Sequence, residues 1–142
     1  MVQISRTNDL EACLDIRRAV FIRGQNVPEE IEIDGEDGDC IQYLVTVENT
    51  PAATARVKSL GSTAKIQRVA VLESQQGTGL GAKLMRFILD DIRTEFETVV
   101  LGSQMHAIGF YEKLGFVAFG PEYDDANIPH REMTLSFNKA PR

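Results

Sequence analysis

The sequence Gln76-Gly77-Thr78-Gly79-Leu80-Gly81 decides the fold of this 142-residue chain. It stands between residues 65–72, which predict a strand, and residues 82–94, which predict an amphipathic helix. Glycines tolerate positive φ angles, so such a loop exposes several N–H groups in one concave patch. A phosphate is favoured there because the patch lies at a helix N-terminus. The stretch therefore predicts an α/β fold that binds a ligand phosphate at this loop.

The rest of the chain extends the same α/β pattern in both directions. The predicted strands are 2–4, 41–48, 52–60, 65–72, 98–101, 116–119 and 131–137. Helices are expected after Asn8, which forms a capping-box pattern with Glu11, from Gly79 onward, and over 105–114. A loop is expected around Pro121 and Pro129. The order β-α-β-β-β-α-β-α-β-β predicts a sheet of mixed direction.

Length and composition limit what the chain is expected to do. We expect one domain over residues 1–142, since no linker, repeat or low-complexity tract interrupts the sequence. No signal-peptide pattern or membrane-length apolar run is present, so a cytoplasmic protein without a membrane partner is expected. Cys13 and Cys40 lack metal-ligand spacing, and no metal is expected. The net charge of −6 argues against a nucleic-acid partner.

An acidic segment between residues 29 and 39 has two interpretations. It contains seven carboxylates, and no Lys or Arg occurs over residues 24–55. One interpretation is a solvated acidic loop; the other is a rim that attracts a cationic substrate. The seven carboxylates are Glu29, Glu30, Glu32, Asp34, Glu36, Asp37 and Asp39.

Three kinds of phosphate-binding loop compete for residues 76–82. A nucleoside-triphosphate loop needs a Gly-Lys-Ser/Thr ending, and Lys83 stands between Ala82 and Leu84 instead. Residues 77–82 match the dinucleotide pattern G-x-G-x-x-[GA], but residues 73–76 lengthen the turn and no acid follows Leu101 to bind a ribose. Both interpretations are disfavoured.

The third interpretation is a resemblance to the GNAT superfamily of acyl-CoA-dependent N-acetyltransferases. Gln76, Gly79 and Gly81 fill the places of its signature [QR]-x-x-G-x-[GA]. Residues 101–104 and 110–116, the latter reading FYEKLGF, resemble the next strand and helix of the superfamily. Together with residues 20–21, 25–28 and 128–130, and Asp34, they resemble its small ElaA-like branch.

The resemblance implies a fold, a co-substrate and a set of binding residues. It implies a GNAT-like mixed central β-sheet with a splayed strand pair and flanking helices, acetyl-CoA as co-substrate, and a homodimer. Val69 and Val71 would hold the pantetheine through their main chain, and one of their N–H groups would stabilise the oxyanion. Tyr111 matches the superfamily tyrosine that protonates the departing thiolate. The residues expected to bind the co-substrate are Val69, Ala70, Val71, Gln76, Gly77, Thr78, Gly79, Leu80, Gly81 and Tyr111.

The general base is the place where the chain departs from the superfamily pattern. Many relatives have Glu two residues before the first valine of the fourth strand, and this chain has Gln67 there. The expected acceptor is a primary amine, a small molecule or a lysine side chain, and cationic. A non-catalytic acyl-CoA-binding module is the alternative. Candidates for binding the acceptor, the last four also for the base, are Gln25, Gln104, Glu32, Asp34, His106 and His130.

Overall fold

The computed structural model describes residues 1–28 and 35–137. Glu32 and Asp34, two of the predicted site residues, lie outside the described residues. The first helix, Leu10–Arg17, continues without a break into a π-helical segment, Arg18–Arg23. Among the described residues, 3₁₀ turns cover Asp37–Asp39, Glu73–Gln75 and Met105–Ala107. The strands and α-helices of the described ranges are β1 Val2–Thr7, α1 Leu10–Arg17, β2 Ile41–Val47, β3 Thr50–Leu60, β4 Thr63–Val71, α2 Leu80–Ile92, β5 Thr98–Gln104, α3 Ile108–Glu112, β6 Val117–Asp125 and β7 Ile128–Ser136.

The strands form one mixed sheet, which confirms the predicted α/β class. Its order is β1-β2-β3-β4-β5-β7-β6, and every neighbouring pair except β4 and β5 is antiparallel. The β4–β5 pair is parallel because α2 carries the chain back across the sheet between the two strands. The predicted element order is therefore correct, although the bounds of most strands extend beyond the predicted ranges.

The parallel pair separates after three residues. β4 and β5 are aligned only from Thr63, opposite Thr98, to Lys65, opposite Val100. Beyond that point β5 keeps its pairing with β7, and β4 keeps its pairing with β3. Arg68 has a φ of +58°, and the β3–β4 register shifts between Thr54 and Arg56, so β4 bulges where the strands part. The result is a gap between β4 and β5 that opens toward their carboxyl ends.

Helix α2 holds the sheet from one face. Its apolar side chains recur at helical spacing, and Leu84, Met85, Ile88 and Ile92 are fully buried. Each such side chain contributes roughly 1.5–3 kcal/mol by leaving water. Because these side chains fix α2 to the sheet, the N-terminus of α2 is fixed as well. The glycine loop leads directly into that N-terminus.

The first helix begins one residue later than the capping-box pattern predicts. Asp9, not Asn8, is the cap: its carboxylate accepts a hydrogen bond from the Ala12 N–H at 3.1 Å. The third helical residue is then Ala12, so the capping box of Asn8 and Glu11 is wrong. A carboxylate at the helix start also interacts favourably with the helix dipole, which favours the later cap.

Two further predictions of local structure are wrong. The segment around Pro121 and Pro129 is not a loop but part of the β6–β7 hairpin, closed by a two-residue turn in which Ala126 and Asn127 have positive φ. Proline is tolerated in β6 because that strand lies at the sheet edge. The predicted helix over 105–114 is divided into the 3₁₀ turn Met105–Ala107 and α3, and Gly115 follows with a φ of +106°.

Candidate active site

The glycine loop has the geometry of an anion cradle. Gly77 and Gly79 have φ angles of +80° and +84°, and a side chain built on either would meet no atom within 4 Å. The two glycines therefore face open space. The Gln76 amide donates to the Val71 carbonyl at 3.0 Å and holds the loop against the end of β4. Lys83 is the first α2 residue whose N–H donates to a carbonyl, that of Gly79, so the preceding N–H groups are those a helix start leaves for a ligand.

The other residues predicted at this loop contribute only main-chain atoms. Leu80 is buried in the core with its side chain away from the loop. Thr78 donates its hydroxyl to the Gln75 carbonyl at 2.6 Å and stabilises the turn. A side chain at Gly81 would lie 3.6 Å from Val71 and 3.7 Å from Phe110, so this glycine lies where α2 approaches β4 and α3. The cradle is formed by backbone, which fits a phosphate group.

The gap between β4 and β5 forms a cleft of about 440 Å³. This volume is in the range of small-molecule sites. Val69, Val71 and Gln76 line it, whereas Ala70 is buried and offers only its backbone. Past Lys65 the β4 edge facing the cleft has no ladder partner in β5, and unpaired strand groups bind an amide-bearing chain. Pantetheine is such a chain.

Tyr111 lines the same cleft from α3. The half-buried ring packs edge-on against Phe110 and Phe116, with ring centres 5.0 and 5.9 Å away. Burial raises the pKa of the Tyr111 phenol to about 12. The phenol is therefore protonated throughout the neutral range and is available as a hydrogen donor. Within the described chain its hydroxyl has no hydrogen-bond partner.

The opposite wall of the cleft comes from β5, β7 and β6. Register places His130 opposite Gln104 and Tyr123, and Glu132 opposite Gly102. The Tyr123 hydroxyl donates to the Glu132 carboxylate, and the Tyr123 ring stacks on His130 at 5.8 Å. Burial and then the Glu132 hydrogen bond raise the pKa of Tyr123 above its ordinary value.

Gly102 explains how Tyr123 and Glu132 fit on this wall. A side chain at position 102 would overlap the Tyr123 hydroxyl oxygen and lie 3.2 Å from the Glu132 carboxylate. The pair therefore occupies the space that the glycine leaves. Tyr123, Glu132 and Gly102 were not predicted as site residues. The only signal for them in the sequence is the pairing of β5 with β7 and β7 with β6, which local patterns do not give.

Gln25, Gln104 and His106 form a hydrogen-bonded chain at the outer end of the cleft. The amides of Gln25 and Gln104 donate to each other at 3.3 and 3.0 Å, and His106 Nε2 lies 2.6 Å from the Gln104 oxygen. Because that oxygen only accepts, His106 Nε2 carries the hydrogen. The structure thus brings these three predicted residues together, and it places His130 on the next strand, opposite Gln104.

A buried charged network lies behind the β4 wall. Asp37 accepts hydrogen bonds from Arg17 at 2.6 Å and Arg56 at 3.0 Å, and all three side chains are buried. Burial alone would raise the pKa of Asp37, but these two guanidinium groups outweigh it and lower that pKa. Arg56 Nε also donates to the Gln67 oxygen at 3.0 Å. The Gln67 carbonyl is therefore engaged, and its amide nitrogen has no acceptor among the described residues.

The described part of the acidic segment does not line the cleft. Glu36 pairs with Lys58 at 2.8 Å, and Asp37 pairs with the two buried arginines. Glu29, Glu30, Glu32 and Asp34 lie outside the described residues. Among the residues that the structure describes, the carboxylates lining the cleft are those of Asp125 and Glu132. Over residues 1–28 and 35–137, no group of three or more His, Cys, Asp or Glu side chains is arranged to hold a metal ion. No helix in these same ranges has the length and apolar character needed to span a bilayer.

The splayed strands and Tyr111 line one cleft, and Gln76, at the start of the backbone cradle, lines it as well. This arrangement defines an acyl-coenzyme-binding α/β domain. The acetyltransferase (GNAT) domain family matches residues 15–137, and the chain belongs to that family. It lies in the ElaA-like branch, as predicted: Escherichia coli ElaA is 33% identical over 130 residues, covering 87% of this chain and 84% of that protein.

Solved structures agree with this assignment. The crystal structure of E. coli ElaA superimposes with a TM-score of 0.84 at 30% identity, covering 96% of this chain and 99% of the other. An acyl-CoA N-acyltransferase from Pseudomonas aeruginosa gives a TM-score of 0.83 at 28% identity, with the same coverage. A GNAT family acetyltransferase from Elizabethkingia anophelis, whose structure contains acetyl-CoA, shares the fold with a TM-score of 0.75 at 17% identity, covering 95% and 97%.

Proposed function

We propose that this protein transfers an acetyl group from acetyl-CoA to a primary amine by direct attack within a ternary complex. Family membership supports acyl transfer in general. The observation that carries the finer proposal is the cleft itself, which the unpaired β4 edge and Tyr111 line together with Gln76, the residue that begins the backbone cradle. We also propose a cytoplasmic location and a homodimer; sedimentation velocity tests the dimer.

Each part of the coenzyme has a suitable partner in this arrangement. The N–H groups of residues 77–81 would bind the pyrophosphate, with the positive end of the α2 dipole behind them. The main chain of Val69 and Val71 would pair with the pantetheine amides. When bound, acetyl-CoA supplies a thioester carbonyl as the electrophile. One valine N–H would then stabilise the oxyanion that forms on attack.

Tyr111 is the proposed acid. The departing thiolate needs a proton, and the Tyr111 phenol holds one up to a pH of about 12. Its ring is fixed by Phe110 and Phe116, so the hydroxyl needs little reorganisation before it donates. We propose that the acceptor is a cationic amine, either a small molecule or a lysine side chain, because Asp125 and Glu132 line the β6–β7 side of the cleft, whereas Lys65 and Arg68 line it from β4.

One observation favours a second candidate, a non-catalytic acyl-CoA-binding module. At the position where many relatives have a glutamate, Gln67 cannot accept a proton and its oxygen is occupied by Arg56. A protein without any base would bind the coenzyme and not turn it over.

A thiol-release assay distinguishes the two candidates. The purified protein is incubated with acetyl-CoA and a panel of monoamines, polyamines, amino sugars and lysine peptides, and free thiol is measured. The enzyme hypothesis predicts acceptor-dependent thiol release, falling about 100-fold or more in Tyr111→Phe while calorimetry shows unchanged coenzyme binding. Binding of acetyl-CoA without turnover on any amine supports the module instead. Full activity in Tyr111→Phe contradicts the assignment of Tyr111 as the acid.

A further inference from the structure

We propose that the acceptor amine binds over the β5–β7 face of the cleft and that His130 Nε2 removes its proton. The inference rests on the proposed acetyl transfer. It assigns the general base to His130, because Gln67 cannot act as one. A primary amine is mostly an ammonium ion at neutral pH, and only its neutral form attacks a thioester. The cleft therefore needs a proton acceptor on the side that the amine enters.

His130 is held in the form that accepts a proton. Its side chain is buried, with 9% exposed, and Nδ1 lies 2.7 Å from the Ile128 carbonyl oxygen. Because a carbonyl oxygen only accepts, Nδ1 carries the hydrogen and Nε2 carries the lone pair. Nε2 has no hydrogen-bond partner among the described residues, and His130 lines the cleft. Stacking on Tyr123 fixes the plane of the ring.

His106 is arranged in the opposite way. Its ring is exposed, and its Nε2 donates to the Gln104 oxygen, so that nitrogen has no lone pair to offer. The two histidines of the chain thus differ in which atom is committed to a hydrogen bond. Gln67 is excluded as the general base, because an amide does not accept a proton at neutral pH.

On the β6–β7 side of the cleft the charged groups beside His130 are carboxylates and favour a cationic acceptor, whereas Lys65 and Arg68 line the cleft from β4. Glu132 follows two residues later on the same face of β7, held by the Tyr123 hydroxyl in the space over Gly102. Asp125, the last residue of β6 before the hairpin turn, adds a second carboxylate to the cleft. Ammonium is thereby drawn to the wall that also holds Nε2. The titratable and charged groups lining the cleft around His130 are Tyr123, Asp125, Glu132, His106, Lys65, Arg68 and Tyr111.

The step balances without another reactant. His130 Nε2 takes one proton from the ammonium, and the neutral nitrogen attacks the thioester carbon, forming the C–N bond. The C–S bond then breaks, its electron pair stays on sulfur, and Tyr111 donates a proton there. The second nitrogen proton restores the Tyr111 phenol through water, and His130 releases its proton to solvent. The products are the amide, the free thiol and one proton.

His130→Asn is the informative variant. The asparagine amide nitrogen takes the place of Nδ1 and keeps the donor to Ile128, but no atom replaces Nε2. We expect kcat/KM for the amine to fall about 100-fold or more at neutral pH, with unchanged coenzyme binding by calorimetry. The loss shrinks at least tenfold as the assay pH approaches the acceptor's own pKa, about 10.4 for a lysine-like amine, because the amine then deprotonates unaided. His130→Gln is the second variant if the first does not fold.

Control variants distinguish a base at His130 from a structural role of the same side chain. Glu122→Gln alters an exposed residue of the same hairpin outside the cleft and retains wild-type rates. A loss in His130→Asn that does not change with pH shows a structural role and overturns the proposal. Wild-type activity in His130→Asn also overturns the proposal, and so does a pH-dependent loss of the same size in His106→Gln. No turnover by the unaltered protein overturns the proposed function itself, a different result from turnover that survives His130→Asn.

Discussion

The two walls of the cleft offer different chemical groups to the ligands that we propose for them. The proposed donor wall, from the end of β4 through residues 76–81, offers main-chain groups; Leu80 is buried in the core, and the side chains of Gln76 and Thr78 stabilise the turn. The acceptor wall, on β5, β7 and β6, offers the side chains of His130, Glu132 and Tyr123. A backbone cradle recognises any phosphate of the right shape, whereas side chains choose the partner. We therefore expect the fold to set the donor and a few side chains to set the acceptor.

The largest effect is expected from the buried charged network behind β4, which supports the cleft and belongs to neither wall. Asp37→Asn leaves Arg17 and Arg56 without the buried carboxylate that they share. It also removes the carboxylate that holds Arg56, the residue that donates to the Gln67 oxygen. We expect the free energy of unfolding to fall by about 3–5 kcal/mol in urea denaturation. An unchanged midpoint would show that the network contributes nothing.

The same carboxylate predicts an acid limit of stability. The pKa of Asp37 is lower in the folded chain than in the unfolded chain, so its contribution is complete above the unfolded value, about 3.9, and is lost as pH falls through the lower folded value. Urea midpoints measured from pH 6 down to pH 2 should fall less steeply in Asp37→Asn. Parallel curves for the two proteins would contradict this pH dependence.

The next effect concerns the donor wall alone. Gly79→Ala forces a side chain into a left-handed conformation, which costs about 1–2 kcal/mol, and projects it where the pyrophosphate approaches. We expect KM for acetyl-CoA to rise roughly tenfold with little change in KM for the amine. Gly61→Ala is the matched control, since Gly61 has a φ of +70° in the β3–β4 turn away from the cleft. Equal effects of the two changes on KM would show that the backbone cradle is not where the donor binds.

A change on the acceptor wall should affect the amine and not the coenzyme. In Gly102→Ala the new methyl group overlaps the Tyr123 hydroxyl oxygen, so Tyr123 and Glu132 must shift. We expect KM for the amine to rise about fivefold, while coenzyme binding by calorimetry stays unchanged. Gly38→Ala, at an exposed glycine with no atom within 4 Å of the new methyl, should change neither quantity. A larger effect on the coenzyme than on the amine would reverse the assignment of the walls.

The same difference between the walls explains how much of the site the sequence predicts. The donor wall is continuous in sequence, so the glycine spacing from Gly77 to Gly81 is enough to predict a loop with positive φ angles there. Its binding of acetyl-CoA stays a prediction. The acceptor wall depends on the alignment of Gly102 with Glu132 and of Tyr123 with His130, which no local pattern contains. The prolines at 121 and 129 even predict a loop there, because proline is rare inside a sheet. Pro121 is tolerated in the edge strand β6, and Pro129 stands at the start of β7, beyond the last pairing of that strand with β5.

An initial-rate matrix of thiol release tests most directly whether both walls act on one ternary complex. Acetyl-CoA and a cationic amine from the panel are varied together, first with the unaltered protein and then with Gly79→Ala and Gly102→Ala. We expect intersecting double-reciprocal lines, a change in the donor constant for the first variant and a change in the acceptor constant for the second. Parallel lines, which indicate a covalent acyl-enzyme, or no turnover with any amine would contradict a ternary complex.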